Sequence, residues 1–305
     1  RKMDKNMRIV VTGGSGLVGS HLKKILPDAI YLSSKDYNLT SENEVDKMYS
    51  ELKPNCVIHL AAKVGGIIDN IKHPAQYFTD NVLMNTLLVE YAHKYKVERF
   101  IGILSTCIYP DKVEKYPLTE DMLHLGPPTP TNFSYGYAKR SLAVQIDAYN
   151  QEYKTKYNYL TPCNLYGEGD KDGDNSHFVT SHLKKISDAS NNSEDSITLF
   201  GDGTPIRQFM YVKDLCNVIK YIIDNEIYES FNVATDEVLS ISDIAKIAID
   251  ICNPSLSINW DITKPNGQYR KDVSIDKMKS ILDIEITSLK DGIKKVYNEY
   301  DKASI

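Results

Sequence analysis

Two short stretches of the chain pair residue types that handle protons. Tyr135 and Lys139 stand four positions apart in Tyr135-Gly136-Tyr137-Ala138-Lys139, a spacing that puts both side chains on one face of a helix. An ammonium beside a phenol lowers the phenol's pKa and poises it for proton transfer. Tyr137 has no lysine at the same offset. Upstream, LSTCIYP (104–110) puts Ser105 at the end of an apolar run, where a hydroxyl can bond the same substrate oxygen, with Cys107 two residues on. By itself a strand-end cysteine reads as a small core residue. Tyr-x-x-x-Lys alone is a weak signal, and it gains from the company it keeps.

That company is TGGSGLVG (12–19), which follows an apolar, β-branched run and opens a helical pattern. Gly14, Gly16 and Gly19 satisfy G-x-G-x-x-G, and Gly13, Gly16 and Gly19 satisfy G-x-x-G-x-x-G. Glycine is needed where backbone approaches a pyrophosphate, and the helix start offers free N–H groups and a favourable dipole. An NAD site usually ends its second strand on an acid that takes the ribose 2′-hydroxyl. Here that strand runs into Leu32-Ser33-Ser34-Lys35. Hydroxyls and a cation at Ser34 and Lys35 suit a 2′-phosphate, so NADPH is expected, while Asp36 leaves NADH open.

The elements that must carry these groups alternate. Strand patterns at 8–12, 29–33, 55–62, 99–106 and 157–164 are separated by helical ones at 41–52, 74–95 and 134–154. Continuous apolar strands between helices predict a Rossmann-type doubly wound parallel sheet covered on both faces, with ligands at the carboxyl ends of its strands. Beyond Asn164 the pattern loosens into a smaller mixed α/β substrate-binding lobe. The division expected is 7–165 with 209–235 for the dinucleotide domain, and 166–208 with 236–305 for the lobe.

The chain has 305 residues and a net charge of −5 with no basic stripe, which argues against nucleic acid. Five cysteines, none in a Cys-x-x-Cys pair, predict a reducing, cytoplasmic setting without disulfides or a structural metal. No run reaches the roughly 20 apolar residues of a membrane span. The polar start RKMDKNM shows no leader pattern, and Met3 or Met7 is the expected beginning.

These stretches together resemble the extended short-chain dehydrogenase/reductases that act on nucleotide sugars, and among them the 3,5-epimerase/4-reductases. TGGSGLVG, HLAAKVGG (59–66), LSTCIYP, YGYAKR (135–140), NLYG (164–167), NSHF (175–178) and GTPIRQFMYVKDL (203–215) carry the resemblance over most of the chain. It implies NADP(H) contacts at Gly13, Gly16, Leu17, Val18, Gly19, Ser34, Lys35, Ala61, Ala62, Lys139 and Asn164. It implies Ser105, Tyr135 and Lys139 as the reductase group, and Cys107 with His177 as base and acid. The pairing suits the chemistry: protons on C3 and C5 flank a C4 ketone, and inversion needs a base on one face and an acid on the other. A thiol with a free pKa of about 8.5 needs modest help to ionise near neutrality, and histidine titrates there. Lys185, Arg207 and Lys271 are implied substrate cations, and a homodimer built on the helices 74–95 and 134–154 is implied as well.

The chain departs from the pattern in places. Glu168 to Asp174 is an acidic run where such enzymes commonly have Pro and a short path to Asn-Ser-His. It fails as a calcium loop, because Asn175 stands where a glycine is required and Ser181 where the last glutamate belongs. A flexible, solvated loop is the expectation. Cys163 stands for a commoner Thr and Thr180 for a commoner Pro. The rival readings are an enzyme that only reduces C4 or uses another sugar, and a non-catalytic dinucleotide-binding protein. A 4,6-dehydratase is disfavoured, since Ser105-Thr106-Cys107 lacks the acid that elimination uses.

Overall fold

A computed structural model describes residues 7–65, 67–170 and 177–303. In chain order the elements are β1 (Ile9–Thr12), α1 (Leu17–Ile25), β2 (Ile30–Tyr31), α2 (Glu42–Leu52), β3 (Cys56–His59), α3 (Ile67–Lys72), α4 (Pro74–Lys94), β4 (Arg99–Ile103), α5 (Phe133–Tyr153), β5 (Asn158–Pro162) and β6 (Asn164–Tyr166). They continue as α6 (Phe178–Asn191), β7 (Ser196–Phe200), β8 (Ile206–Arg207), β9 (Phe209–Tyr211), α7 (Val212–Asp224), β10 (Phe231–Val233), β11 (Leu239–Ser240), α8 (Ile241–Cys252), β12 (Ser257–Asp261), α9 (Asp276–Ile281) and α10 (Leu289–Ala303).

Every residue of β1, β3 and β4 is buried, as strands covered on both faces must be. These strands build a six-stranded sheet in the order β10-β5-β4-β3-β1-β2, with every neighbouring pair parallel. From β1 the chain goes one way to β2 and the other way to β3, so the order reverses between β1 and β3. A crevice opens at the carboxyl ends of strands where this happens. Thr12-Gly13 and Leu60-Ala61 stand at those ends. The second strand is shorter than its sequence pattern, ending at Tyr31, so Ser33 to Asp36 belong to the following turn.

Helix α5 packs along α4, and Leu142 and Ile146 reach the sheet core. Truncating either to alanine would cost roughly 2–5 kcal/mol. A second core lies beyond the sheet, built from Val179, Leu183 and Ile186 of α6, Leu199 of β7 and Ile244 of α8. The C-terminal part does not belong wholly to that core: Val273, Ile275, Met278 and Leu282 pack into the first. No helix among the described residues is long and apolar enough to cross a membrane.

Candidate active site

The glycine turn is built by backbone. Gly13 has φ +68°, and a Cβ there would lie 2.7 Å from the Ala61 nitrogen, so only glycine fits between β1 and the end of β3. Gly16 N donates to Gly13 O at 3.1 Å, and Gly14 N to Leu32 O at 2.7 Å. Gly16 is the N-cap of α1, and no side chain caps the helix. The amides of Leu17, Val18 and Gly19 therefore open α1 beside Ala61 and Ala62, a setting that fits a dinucleotide pyrophosphate. Ser34 and Lys35 are exposed beyond β2. The Asp36 carboxylate is already taken: it accepts from Ser33 N at 2.7 Å and Ser33 Oγ at 2.9 Å, and these bonds hold it below the usual carboxylate range. The acid that left NADH open is committed to its own turn.

Ser105 follows β4 in extended conformation and caps a 3-10 turn at Thr106–Ile108, with Cys107 N donating to its Oγ at 3.4 Å. Helix α5 sits directly on that turn. A Cβ on Gly136 would lie 2.8 Å from Cys107 O, so the contact requires a residue without a side chain. Arg140 Nε donates to Ile108 O at 2.8 Å and fastens the two elements. Tyr135 and Cys107 thus face one space. Lys139, only 3 % exposed, donates from Nζ to Ile103 O at 3.0 Å and lies 6.0 Å from the centre of the Tyr135 ring.

The electrostatics differ from the sequence expectation at two groups. Burial pushes the Tyr135 phenol up, with Cys107 adding to it. Burial also pushes the Cys107 thiol up; the Ser105 hydroxyl and the Lys271 and Lys139 ammonium groups oppose this and are outweighed. The resting site therefore holds a phenol and a thiol. The reason is common to all of them, since withdrawal from water disfavours every charged form. Lys139 responds likewise, pushed down to about 8 by burial, with Cys107 acting in the other direction.

Two cations face this group from the lobe. Burial, then the charge of Arg207, lowers Lys271, while Cys107 and Cys163 act to raise it. Ile206 N donates to Tyr269 O at 2.9 Å and Ile206 bridges Arg270, which sets Arg207 beside Lys271. Arg207 Nη1 donates to Ile206 O at 2.8 Å, and burial lowers this guanidinium too. Among the described residues neither Arg207 nor Lys271 forms an ion pair, as befits cations kept for an anionic ligand. Lys185 lies elsewhere, on α6, donating to Thr198 O at 3.0 Å with Nζ 5.2 Å from the centre of the Phe200 ring. Asn164 opens β6, with its carbonyl accepting from the Cys163 thiol at 3.5 Å.

His177 is the N-cap of α6. Its Nδ1 is 2.9 Å from Asp170 Oδ2, and among the described residues it makes no hydrogen bond or ion pair with Ser105, Cys107, Tyr135 or Lys139. Asn175 and Ser176 of the NSHF motif, Gly66 of HLAAKVGG, residues 171–174 of the acidic run and Met3 lie outside the described residues.

With this geometry established, comparison with known proteins places it. Residues 9–234 match the NAD dependent epimerase/dehydratase family. The chain belongs to that family. A GDP-L-fucose synthase from Dictyostelium discoideum is 34 % identical to it, over 94 % of this chain and 93 % of the relative. A GDP-L-colitose synthase from Yersinia pseudotuberculosis is 33 % identical, over 87 % of this chain and 88 % of the relative. Among solved structures, a GDP-L-fucose synthetase from Naegleria fowleri bound to NADP superposes with a TM-score of 0.90 at 29 % identity, covering 100 % of this chain and 95 % of that one.

Within this epimerase/dehydratase frame, two sets of residues escaped the sequence reading. One is a buried chain centred on His59 of β3. Ala61 N donates to Thr12 Oγ1 at 3.2 Å, and Thr12 Oγ1 lies 2.8 Å from His59 Nδ1. His59 Nε2 lies 2.7 Å from Asn85 Oδ1, and Asn85 Nδ2 donates to Ala138 O at 3.3 Å. The polarity assigns a neutral Nε2–H ring, and burial, with the Lys139 charge adding, pushes His59 down to about 3. The chain ties the cofactor turn to the backbone beside Lys139. Only the HLAA motif hinted at it. The other set corrects the flexible-loop expectation over its described part. Glu168 and Asp170 are mostly buried: His21 Nε2 meets Glu168 O at 2.7 Å, and Tyr211 donates to the Glu168 carboxylate at 2.7 Å. Polar anchors two and four residues from the NLYG tyrosine hold the loop's start inside the protein. His182, by contrast, is a buried residue with Nε2 3.0 Å from Ala245 O, a structural role matching its lack of motif support.

Proposed function

We propose that the chain converts GDP-4-keto-6-deoxy-D-mannose to GDP-L-fucose, inverting C3 and C5 and then reducing C4 with NADPH. The observation that carries the reading is the meeting of Ser105, Cys107, Tyr135 and Lys139 at the carboxyl end of β4, with Lys271 facing them. Seated at Ser105 and Tyr135, the C4 oxygen takes hydrogen bonds that stabilise the enolate formed when a C3 or C5 proton leaves. Cys107 takes that proton, and His177 returns one to the opposite face. NADPH, when bound along the α1 turn, supplies the hydride for C4. Tyr135 then gives its proton to the C4 oxygen; a raised phenol pKa keeps that proton in place until an alkoxide, a stronger base, calls for it. Lys139 holds positive charge under the phenol, Arg207 and Lys271 hold the diphosphate, and Lys185 serves the nucleotide end. Ser34 and Lys35 take the 2′-phosphate.

For this work 7–165 with 209–235 serves as the dinucleotide domain and 166–208 with 236–305 as the substrate lobe, whose stretch from Val273 to Leu282 packs back onto the sheet core. Exposed Phe78 and Leu83 on α4, with Tyr137 and Val144 on α5, form the apolar face of a homodimer, and a monomer mass in light scattering at micromolar concentration would refute that. Five free thiols suit a cytoplasmic setting. The same chemistry on another 4-keto-6-deoxy nucleotide sugar is the second reading, favoured by the comparable likeness to a GDP-L-colitose synthase. NADPH oxidation with a panel of 4-keto-6-deoxy nucleotide sugars tests both: turnover should be fastest with the GDP-mannose derivative, and failure on every member would overturn the proposal.

A further inference from the structure

Asp170 is a carboxylate with no assigned task, 4 % exposed, next to a histidine that is 47 % exposed. Its Oδ2 takes hydrogen bonds from His177 Nδ1 at 2.9 Å and from Thr180 Oγ1 at 2.7 Å. Burial acts to hold a proton on this carboxyl, but the hydrogen bonds and charge of His177 and the Thr180 hydroxyl outweigh it, so it stays below the ordinary carboxylate range. An ionised carboxylate only accepts hydrogen bonds. The hydrogen between the two residues therefore rides on His177 Nδ1, and Nε2, across the ring, is left to face outward. Asp170 is the only carboxylate among the described residues within 4.0 Å of that ring.

The location adds a second constraint. His177 is the N-cap of α6, where the positive end of the helix dipole opposes an imidazolium. Asp170 offsets that field, and Thr180, in the first turn of the same helix, fixes the carboxylate to the element that carries the histidine.

We propose that Asp170 is a positioning residue for His177, confining its imidazole to the Nδ1–H tautomer, aiming Nε2 outward at the sugar and supplying the counter-charge while the ring waits to give up a proton. The inference rests on the reading of His177 as the epimerisation acid. In that step Cys107, as thiolate, takes the proton from C3 or C5, and the C–H electron pair passes to the C4 oxygen. The enolate carbon then takes the proton from His177 Nε2: that N–H bond breaks, a C–H bond forms on the opposite face, and the ring becomes neutral with its Nδ1–H intact. Asp170 remains ionised throughout, and solvent restores both groups.

The test uses the full chain and Asp170→Asn. An asparagine can keep both hydrogen bonds but not the charge, and it permits the other tautomer. Three readouts are taken: long-range ¹H–¹⁵N correlation of the His177 ring, deuterium uptake at C3 and C5 of the 4-keto sugar nucleotide in D₂O without NADPH, and slow NADPH-linked reduction of the unepimerised ketone. The Nδ1–H signature should be lost or mixed. Uptake should fall roughly 10²-fold in kcat, with KM changed less than about twofold. Direct reduction should persist. Thr180→Val should move uptake the same way by a smaller factor, and it decides the matter if Asp170→Asn does not fold. If His177→Gln abolishes uptake while Asp170→Asn keeps both tautomer and uptake, this inference alone falls. If His177→Gln retains uptake, the assignment of His177 falls and takes this inference with it.

Discussion

The two ends of the active site are held in different ways. At the β4–α5 junction the contacts reach backbone. Lys139 donates to Ile103 O, Arg140 donates to Ile108 O, and Gly136 lies against Cys107 O. Beneath them is the main core, where Leu142 and Ile146 are fully buried. At the start of α6 the contacts join side chains: His177 and Thr180 meet one carboxylate on a short turn, and His177 stands half in solvent. Backbone anchors over a packed core cannot shift without disturbing the sheet, whereas a few polar contacts at a helix start can be retuned by single substitutions. The proposed reductase group is thus part of the fold, and the proposed epimerisation acid is fitted onto it.

If the comparison is right, the largest effect belongs to the one residue that serves epimerisation from the rigid side. Cys107→Ser keeps nearly the same volume, so NADPH binding should be unchanged. Deuterium uptake at C3 and C5 should nonetheless fall by about 10²- to 10⁴-fold, since a serine hydroxyl is too weakly acidic to supply the base. Normal uptake would return Cys107 to the role of a small residue filling a strand end.

The pH response should move the two groups of the packed end in opposite directions. Burial raises the Cys107 thiol above its ordinary value, so the thiolate fraction is small at neutrality and grows as pH rises. Alkylation of Cys107 by iodoacetamide should climb by about tenfold per pH unit through the neutral and mildly alkaline range, whereas uptake, which also needs a proton on His177, should climb less steeply. Lys139 is pushed down to about 8, so its positive charge is present below that pH and is lost as pH rises through it. Ketone reduction should therefore decline above pH 8 while Cys107 alkylation still accelerates. Parallel profiles would mean that one group limits both.

Gly136→Ala probes the packed end directly. The new Cβ meets Cys107 O and the Pro128 Cβ at 2.8 Å each, so the 3-10 turn and the segment carrying Pro128 must give way. A loss of roughly 1–3 kcal/mol is expected in denaturant unfolding. Both half-reactions should weaken together, because Tyr135 and Cys107 shift as one. The smallest effect concerns the exposed edge: Lys35→Asp should narrow or reverse an NADPH preference of about tenfold in kcat/KM, ~1.4 kcal/mol. Equal use of NADH by the unmodified enzyme would remove the role given to Ser34 and Lys35.

The sequence by itself determined the sheet, the glycine turn and the placement of the proposed reductase residues, because each depends on local pattern. Continuous apolar strands between helices leave few ways to pack, Gly13 answers a backbone requirement, and Tyr135 and Lys139 share a helix face by spacing alone. Resemblance added Cys107 and His177, which spacing did not mark. What only the tertiary structure decided was the state and surroundings of those groups. The phenol and the thiol move up rather than down because the folded chain half-buries both, a property of depth that no local pattern records. The Thr12–His59–Asn85 chain joins residues up to 73 positions apart. Asp170, read along the chain as one acid in a solvated run, is buried against His177 because the turn after Tyr166 folds it back onto the start of α6, and that contact exists only once the turn has closed.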